Sequence, residues 1–281
     1  MPRRSTSPSY GCGRAAGTAG DRLSENAGLV ARLRAAGCVF AEDEARLLLT
    51  EAAEATELER LVRRRVAGEP LEYVLGWAEF RSLRIAVDPG VFVPRRRSGL
   101  LVTEAAHRVR AGAVVVDLCC GSGAIGAALA AEVPGLRLYA TELDPVAVGC
   151  ARRNLNGPDQ TVLAGDLFAP LPASLRGRVD LVVANLPYVP TEQIELMPRE
   201  AREHEARIAL DGGADGLDLH RRAAAAAPDW LTAGGQLLIE AGRHQAPVTA
   251  EILADKGFET MIITDDEVDG TIVVGRKSIN A

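Results

Sequence analysis

Aromatic residues are scarce in this 281-residue sequence: five Phe, four Tyr and two Trp, 4% of the chain. Its core must therefore be aliphatic, built from Leu, Val and Ala. Positive charge is in short supply as well. Thirty-two Lys and Arg against 38 Asp and Glu leave a net charge of −6, which argues against a broad basic face for nucleic acid but leaves room for a local patch. Long apolar runs are missing: stretches such as Ala223–Ala227 with their Ala-rich flanks fall far short of the ~18 residues of a membrane span. The first 20 residues hold no apolar h-region, so no secretory signal is expected. Five cysteines (Cys12, Cys38, Cys119, Cys120, Cys150) form neither a CxxC pair nor a His-spaced zinc pattern. That spacing predicts reduced thiols, a cytoplasmic protein and no structural metal.

What is present is an ordinary globular mixture, 47% apolar and 25% charged, long enough for one large α/β domain or for a domain with a small companion. Residues 1–20 are rich in Ser, Gly, Pro and Arg and read as a flexible tail carrying Arg3, Arg4 and Arg14. A helical pattern runs over 21–70, with acids leading its second helix (Glu42, Asp43, Glu44) and arginines closing its third (Arg63, Arg64, Arg65). Gly68 and Pro70 stop it. So small a helical unit buries little by itself. Over 71–98 the pattern predicts a linking β-hairpin, Ala78–Val87 and Val91–Val93 flanking an Asp88-Pro89-Gly90 turn. From 99 to 281 strand and helix alternate, which predicts a doubly wound, Rossmann-like α/β sheet with helices on both faces. Its closing pieces, Phe258–Ile263 and Thr271–Val274, suit an antiparallel pair.

The sharpest local signal is VVVDLCCGSGAIGAAL, residues 114–129. A buried strand carrying Asp117 runs through Cys119 and Cys120 into Gly121-Ser122-Gly123 and a helix. Glycines there permit positive φ and let a ligand approach a helix N-terminus. Gly121-x-Gly123-x-x-Gly126 fits the dinucleotide fingerprint, so an NAD(P) oxidoreductase enters the field. Glu142 ends the next strand and can accept the two hydroxyls of an adenosine ribose, whereas Asp144, just before Pro145, suits a helix cap. Asp166 follows the third strand, where an adenine would sit. Finally, DLVVANLPYVP (180–190) carries a strand into Asn185, Leu186, Pro187 and Tyr188. An Asn oxygen and the next backbone carbonyl offer two acceptors to one planar NH2 group, Pro187 holds Leu186 extended, and Tyr188 supplies an aromatic face.

These motifs, in this order, resemble class I S-adenosylmethionine (SAM) methyltransferases that act on amide or exocyclic NH2 nitrogens, and among them the HemK/PrmC family of protein-(glutamine-N5) methyltransferases. The resemblance spans roughly residues 25–277 and includes GEPLEYVLGWAEF (68–80), VDPGVFVPR (87–95), LDGGADGL (210–217) and LLIEAGRHQ (237–245). It implies that residues 21–70 recognise substrate and that 99–281 hold SAM. Asp117 is among the implied cofactor-binding residues; Cys119 to Gly123 would wrap the methionine part, Glu142 the ribose, and Asp166 and Leu167 the adenine. Asn185 to Tyr188 would hold a glutamine side chain, with Asn185 also touching the cofactor. The implied partner is a protein, a peptide-chain release factor among the candidates, rather than nucleic acid or a membrane. Three departures mark a paralogue-like variant. Leu186 stands where the family has Pro, Cys119-Cys120 replaces Gly-Thr or Gly-Cys, and Arg96, Arg97, Ser98, Gly99 replaces a Pro-Glu-Thr-Glu run. Arg95, Arg96 and Arg97 are therefore expected to border the substrate cleft and to govern substrate choice. Alternatives are the same chemistry on a nucleic-acid base amine, an NAD(P) oxidoreductase, and a non-catalytic SAM-binding protein.

Overall fold

Three amphipathic helices open the chain: α1 (Ala19–Ala35), α2 (Ala41–Glu51) and α3 (Ala55–Val66). The structure is a computed structural model that describes residues 19–279, with side chains from residue 26. The tail expected over 1–20, with its three arginines, thus lies almost wholly outside the described residues. Leu29, Leu33, Leu48, Leu61 and Val62, one or more from each helix, are buried. The Arg65 guanidinium donates to both oxygens of the buried Glu44, at 2.7 and 3.1 Å. Gly68 ends α3 at φ +98°. The contacts divide the chain into two compact units there, one ending at Gly68 and one beginning at Glu69.

The second unit begins with a short helix, α4 (Leu71–Leu75), and a hairpin of β1 (Trp77–Phe80) and β2 (Leu83–Ala86). The hairpin turns one step earlier than the sequence suggests. Phe80 pairs with Leu83, and Arg81 and Ser82 take φ of +48° and +61°, the mirror-image turn that matches strand twist. No Asn-Gly or Asp-Gly announces it, whereas Asp88-Pro89-Gly90 does look like a turn. That tripeptide does bend, with Val91 N–H donating to Asp88 O at 3.0 Å, but it joins the hairpin to an extended segment.

Beyond it, a 3-10 turn (Arg96–Ser98) leads into α5 (Gly99–Ala106), and β-strands and helices then alternate: β3 (Val114–Leu118), α6 (Ala124–Glu132), β4 (Arg137–Glu142), α7 (Pro145–Asn154), β5 (Gln160–Ala164), β6 (Val179–Ala184), α8 (Arg199–His204), α9 (Asp218–Trp230), β7 (Leu231–Glu240), α10 (Ala246–Ala254), β8 (Phe258–Asp265) and β9 (Gly270–Lys277). The sheet order is β5-β4-β3-β6-β7-β9-β8; β9 runs antiparallel to both of its neighbours. The period-2 rule assigns the two faces. Val115 enters a core with α5, α6 and α7, while Val114, Val116 and Leu118 enter the opposite one with α9 and α10. The fold is thus a doubly wound α/β sheet. No helix among the described residues is long and apolar enough to cross a membrane.

This topology fixes where a ligand can sit. The chain leaves β3 toward β4 and β5, then returns to β6 on the other side of β3, so a crevice opens between the carboxyl ends of β3 and β6. In register, Leu118 faces Thr141 and Ala184, Glu142 faces Ala164, and Ala184 faces Ile239. Every strand-end motif picked out from the sequence therefore emerges at one level of one edge.

Candidate active site

A cavity of about 840 Å³ occupies that crevice, within the range of cofactor and ligand sites. Its floor is the turn after β3. Cys119, Gly121 and Gly123 all take positive φ (+52°, +55° and +79°), so the turn wraps tightly and presents its backbone to the cavity. Gly126 serves packing instead: a Cβ there would lie 2.9 Å from Leu138 Cδ2 and 3.1 Å from Asp117 Oδ2, so a larger residue would have to displace both side chains where α6 packs on the sheet. Asp117 is fully buried and lies beneath the cavity rather than on its wall. Its Oδ2 accepts the Gly126 N–H at 3.0 Å. Burial, with the nearby Glu142 charge, pushes its carboxyl up to about 7. Asp117 thus braces the turn and does not line the cavity.

Glu142 projects from β4 into the wall. Its Oε2 accepts the Gly121 N–H at 2.8 Å, and Oε1 accepts from Leu143 N at 2.7 Å and Asp144 N at 3.0 Å. Asp144 caps α7 by accepting the Val146 N–H at 2.8 Å, as its place before Pro145 suggests. Asp166 and Leu167 continue the wall after β5. Asp166 pairs with Arg222, and Leu167, at φ +45°, turns a nearly buried side chain to the cavity. Burial and the surrounding carboxylates push the Cys119 and Cys120 thiols up, so both line the cavity as neutral sulfurs.

Across the crevice stand Asn185, Leu186, Pro187 and Tyr188. The glycines of LDGGADGL support this turn from behind. A Cβ on Gly212 would lie 2.7 Å from Pro187 O, and one on Gly216 2.3 Å from Tyr188 O. The Gln245 amide adds a hydrogen bond to Tyr188 O at 2.9 Å. Asn185 Nδ2 donates to Ser98 Oγ at 3.3 Å, and Tyr188 OH donates to Glu240 Oε1 at 3.3 Å. Among the described residues no donor meets Asn185 Oδ1 or the Leu186 carbonyl. Burial, with Glu240 beside it, pushes the Tyr188 phenol up to about 12, so it stays a donor.

The arginine run separates. Arg95 and Arg97 line the cavity, but Arg96 does not. Arg95 pairs with the buried Glu205, and Arg97 Nε donates to the buried Glu240 at 3.2 Å. Sequence reasoning gave Ser98, Glu205 and Glu240 no role. For Glu240 a signal existed: an acid ending a buried strand, LLIE, as Glu142 ends LYATE. No histidine lines the cavity among the described residues; His220 is fully buried elsewhere, its Nδ1 3.0 Å from Thr249 Oγ1.

The residues present suit an adenosine cofactor. The carboxylate of Glu142 is held in the wall by backbone donors, and a glycine turn leaves open space above it, a Cβ on Gly121 meeting nothing nearer than Phe92 Cβ at 4.0 Å. Residues 82–264 match the methyltransferase small domain family. The release factor glutamine methyltransferase of Geobacter sulfurreducens is 42% identical over 200 residues, 70% of this chain and 69% of that protein. The 4-amino-L-phenylalanine/4-methylamino-L-phenylalanine methyltransferase of Streptomyces pristinaespiralis is 38% identical over 191 residues, 66% of this chain and 65% of that one. Among solved structures, a methyltransferase from Pyrococcus furiosus superposes with a TM-score of 0.54 at 19% identity, covering 71% of this chain and 91% of its own, a likeness of fold.

Proposed function

We infer the reaction from a fixed premise: this chain belongs to the methyltransferase small domain family, and within it to the HemK/PrmC type. The function it supports best is SAM-dependent methylation of the side-chain amide nitrogen of glutamine in a protein, a peptide-chain release factor being the first candidate. One observation carries the reading. The Cys119–Gly123 turn and the Asn185–Tyr188 turn leave adjacent strands at the same level, and the second offers two unused carbonyl oxygens to the cavity.

An amide nitrogen is a poor nucleophile because its lone pair is shared with the carbonyl. Asn185 Oδ1 and the Leu186 carbonyl would each accept one N–H of the acceptor, fixing the nitrogen and favouring the positive charge that develops on it. Only the backbone oxygen of Leu186 takes part, so leucine serves where the family has proline. The Tyr188 ring flanks the planar amide. Cys119 to Gly123 and Glu142 would hold the cofactor beside the acceptor, and positioning supplies much of the acceleration. When bound, SAM supplies an electrophilic sulfonium methyl, whose C–S electrons stay on sulfur as the N–C bond forms. The displaced amide proton passes to water.

A second reading takes the acceptor to be a small aromatic amine bearing a carboxylate. It is favoured by the similarity to the aminophenylalanine enzyme and by the Arg97 guanidinium in the cavity wall. One assay separates the two. The protein is incubated with isotope-labelled SAM, a purified bacterial release factor and a cell lysate. Label on a glutamine of the release factor, located by peptide mass spectrometry, is the expected result. Label confined to nucleic acid or to the low-mass fraction would overturn it in favour of the corresponding amine.

A further inference from the structure

Among the described residues four arginines line the cavity, Arg95, Arg97, Arg207 and Arg222, and they differ in where their counter-charge lies. Arg207 pairs with Asp211 and Arg222 with Asp166, acids that line the cavity beside them. From the cavity each is a neutral couple. Arg95 gives a terminal nitrogen to the buried Glu205 and lies over the Phe92 ring, 5.1 Å from its centroid. Arg97 is held differently. It leaves the 3-10 turn, and its Nε donates to Glu240 Oε1 at 3.2 Å. Glu240 is buried, with 2% of its surface exposed, and does not line the cavity. No other acid pairs with Arg97 among the described residues.

A guanidinium carries five N–H donors in a flat fork and keeps its charge at any working pH. Arg97 spends Nε, the nitrogen nearest its own chain, on the acid beneath it. The edge with the two terminal nitrogens is what remains for the cavity, and two parallel N–H groups match the two oxygens of a carboxylate. Glu240 Oε1 accepts in either protonation state: ionised, it meets only the inner edge, and neutral, it leaves the whole positive charge unmet. The same oxygen takes the Tyr188 OH at 3.3 Å, so Arg97 and Tyr188 are tied through one atom. The fork therefore belongs with the Asn185–Tyr188 turn, across the crevice from Glu142. We propose that Arg97 is a carboxylate subsite of the acceptor site: the preferred acceptor carries a carboxylate close to the NH2 that is methylated, and the terminal N–H pair of Arg97 takes it. The carboxylate is that of a free amino acid or of an acidic residue beside a glutamine in a protein; the fork is the same for both. An acceptor without an anion leaves the guanidinium unmatched, which is a source of discrimination.

The inference rests on the acceptor-site reading above, and its experiment separates the two. N-acetyl-L-glutamine and N-acetyl-L-glutaminamide carry the same side-chain amide and differ by one carboxylate. Their binding to the full-length protein saturated with S-adenosylhomocysteine is measured by calorimetry for wild type, Arg97→Gln and Arg97→Lys, with label transfer from SAM read in parallel. Wild type should prefer the carboxylate form by about tenfold or more, Arg97→Gln should lose that preference, and Arg97→Lys, a point charge without a fork, should keep only part of it. Affinity for S-adenosylhomocysteine should stay within about twofold in both variants. A second pair, acetyl-Ala-Asp-Gln-Ala-amide and its Asn counterpart, identifies the source. Preference confined to the first pair marks a free amino acid; preference for the Asp peptide marks an acidic neighbour in a protein. Equal affinity within both pairs, binding of no probe, or a preference that survives Arg97→Gln would overturn the proposal. So would a parallel loss of S-adenosylhomocysteine affinity, which would give the fork to the cofactor's own carboxylate. If the preference is found but no glutamine is labelled, the reading above fails alone; labelled glutamine without the preference sinks only the subsite.

Discussion

Glu142 accepts the Gly121 N–H at 2.8 Å across the boundary between β4 and the turn after β3. The carboxylate is therefore part of the turn's own structure as well as a wall of the cavity. Glu142→Ala should weaken SAM binding by about 1–3 kcal/mol, the loss of charge-assisted bonds to the ribose hydroxyls. It should also lower the melting temperature, because three backbone N–H groups lose their acceptor. Calorimetry and a thermal melt measure the two effects. Lower melting with unchanged affinity would leave Glu142 a purely structural role.

Asn185→Ala should remove methyl transfer while weakening SAM binding only modestly, since Asn185 lines the cavity with the side chain proposed to dock the acceptor. Steady-state rates beside SAM titrations test this. Turnover within about tenfold of wild type would take the acceptor role away from Asn185.

Arg96 and Arg97 should behave differently, because only the second lines the cavity. Arg97→Gln should shift the ratio of rates between an acidic acceptor and a basic one, and should flatten its salt dependence. Arg96→Gln should change neither. If both variants match wild type, the run takes no part in acceptor choice.

His220 should leave a mark on acid stability. Burial pushes its imidazole down from 6.5 to about 4, with the Arg221 charge assisting. The folded state therefore resists a proton that the unfolded chain accepts. Its contribution is complete above 6.5 and is lost as pH falls toward 4, amounting to about 3 kcal/mol. Asp117, raised to about 7, slopes the other way: its contribution is complete below its ordinary value of 3.8 and is lost as pH rises to 7. The difference between wild type and His220→Gln isolates the histidine. Denaturant unfolding between pH 4 and pH 7 should give a gap that grows with pH; a constant gap would discard the assignment.

The catalytic half of the fold was legible because its signals are local. Helices Ala124–Glu132 and Pro145–Asn154 lie where periodicity, the glycine turn and the Asp144-Pro145 cap place them. The hairpin was misplaced because Arg81 and Ser82 adopt positive φ without the residues that favour it. α5 was missed because its eight residues bury five positions around the helix and leave no polar stripe to set a period. Within the site, single residues at strand ends could be read, but partnerships could not. Asn185 with Ser98 and Arg95 with Glu205 are separated by 87 and 110 positions, and only the sheet order brings them together.

Glu205 joins two walls of the cavity. It takes the Val93 N–H at 3.3 Å and the Arg95 guanidinium, while Ala206 N–H donates to Gly90 O at 3.0 Å. On a ribosome, the segment around Gly90 emerges long before its partner. The β3–β4–β5 portion can assemble from neighbouring βα units as it is made, whereas the wall over 90–95 must wait for residue 205 to be synthesised. The β3–β5 side of the cavity thus has the shorter path to completion, and the wall over 90–95 is finished last.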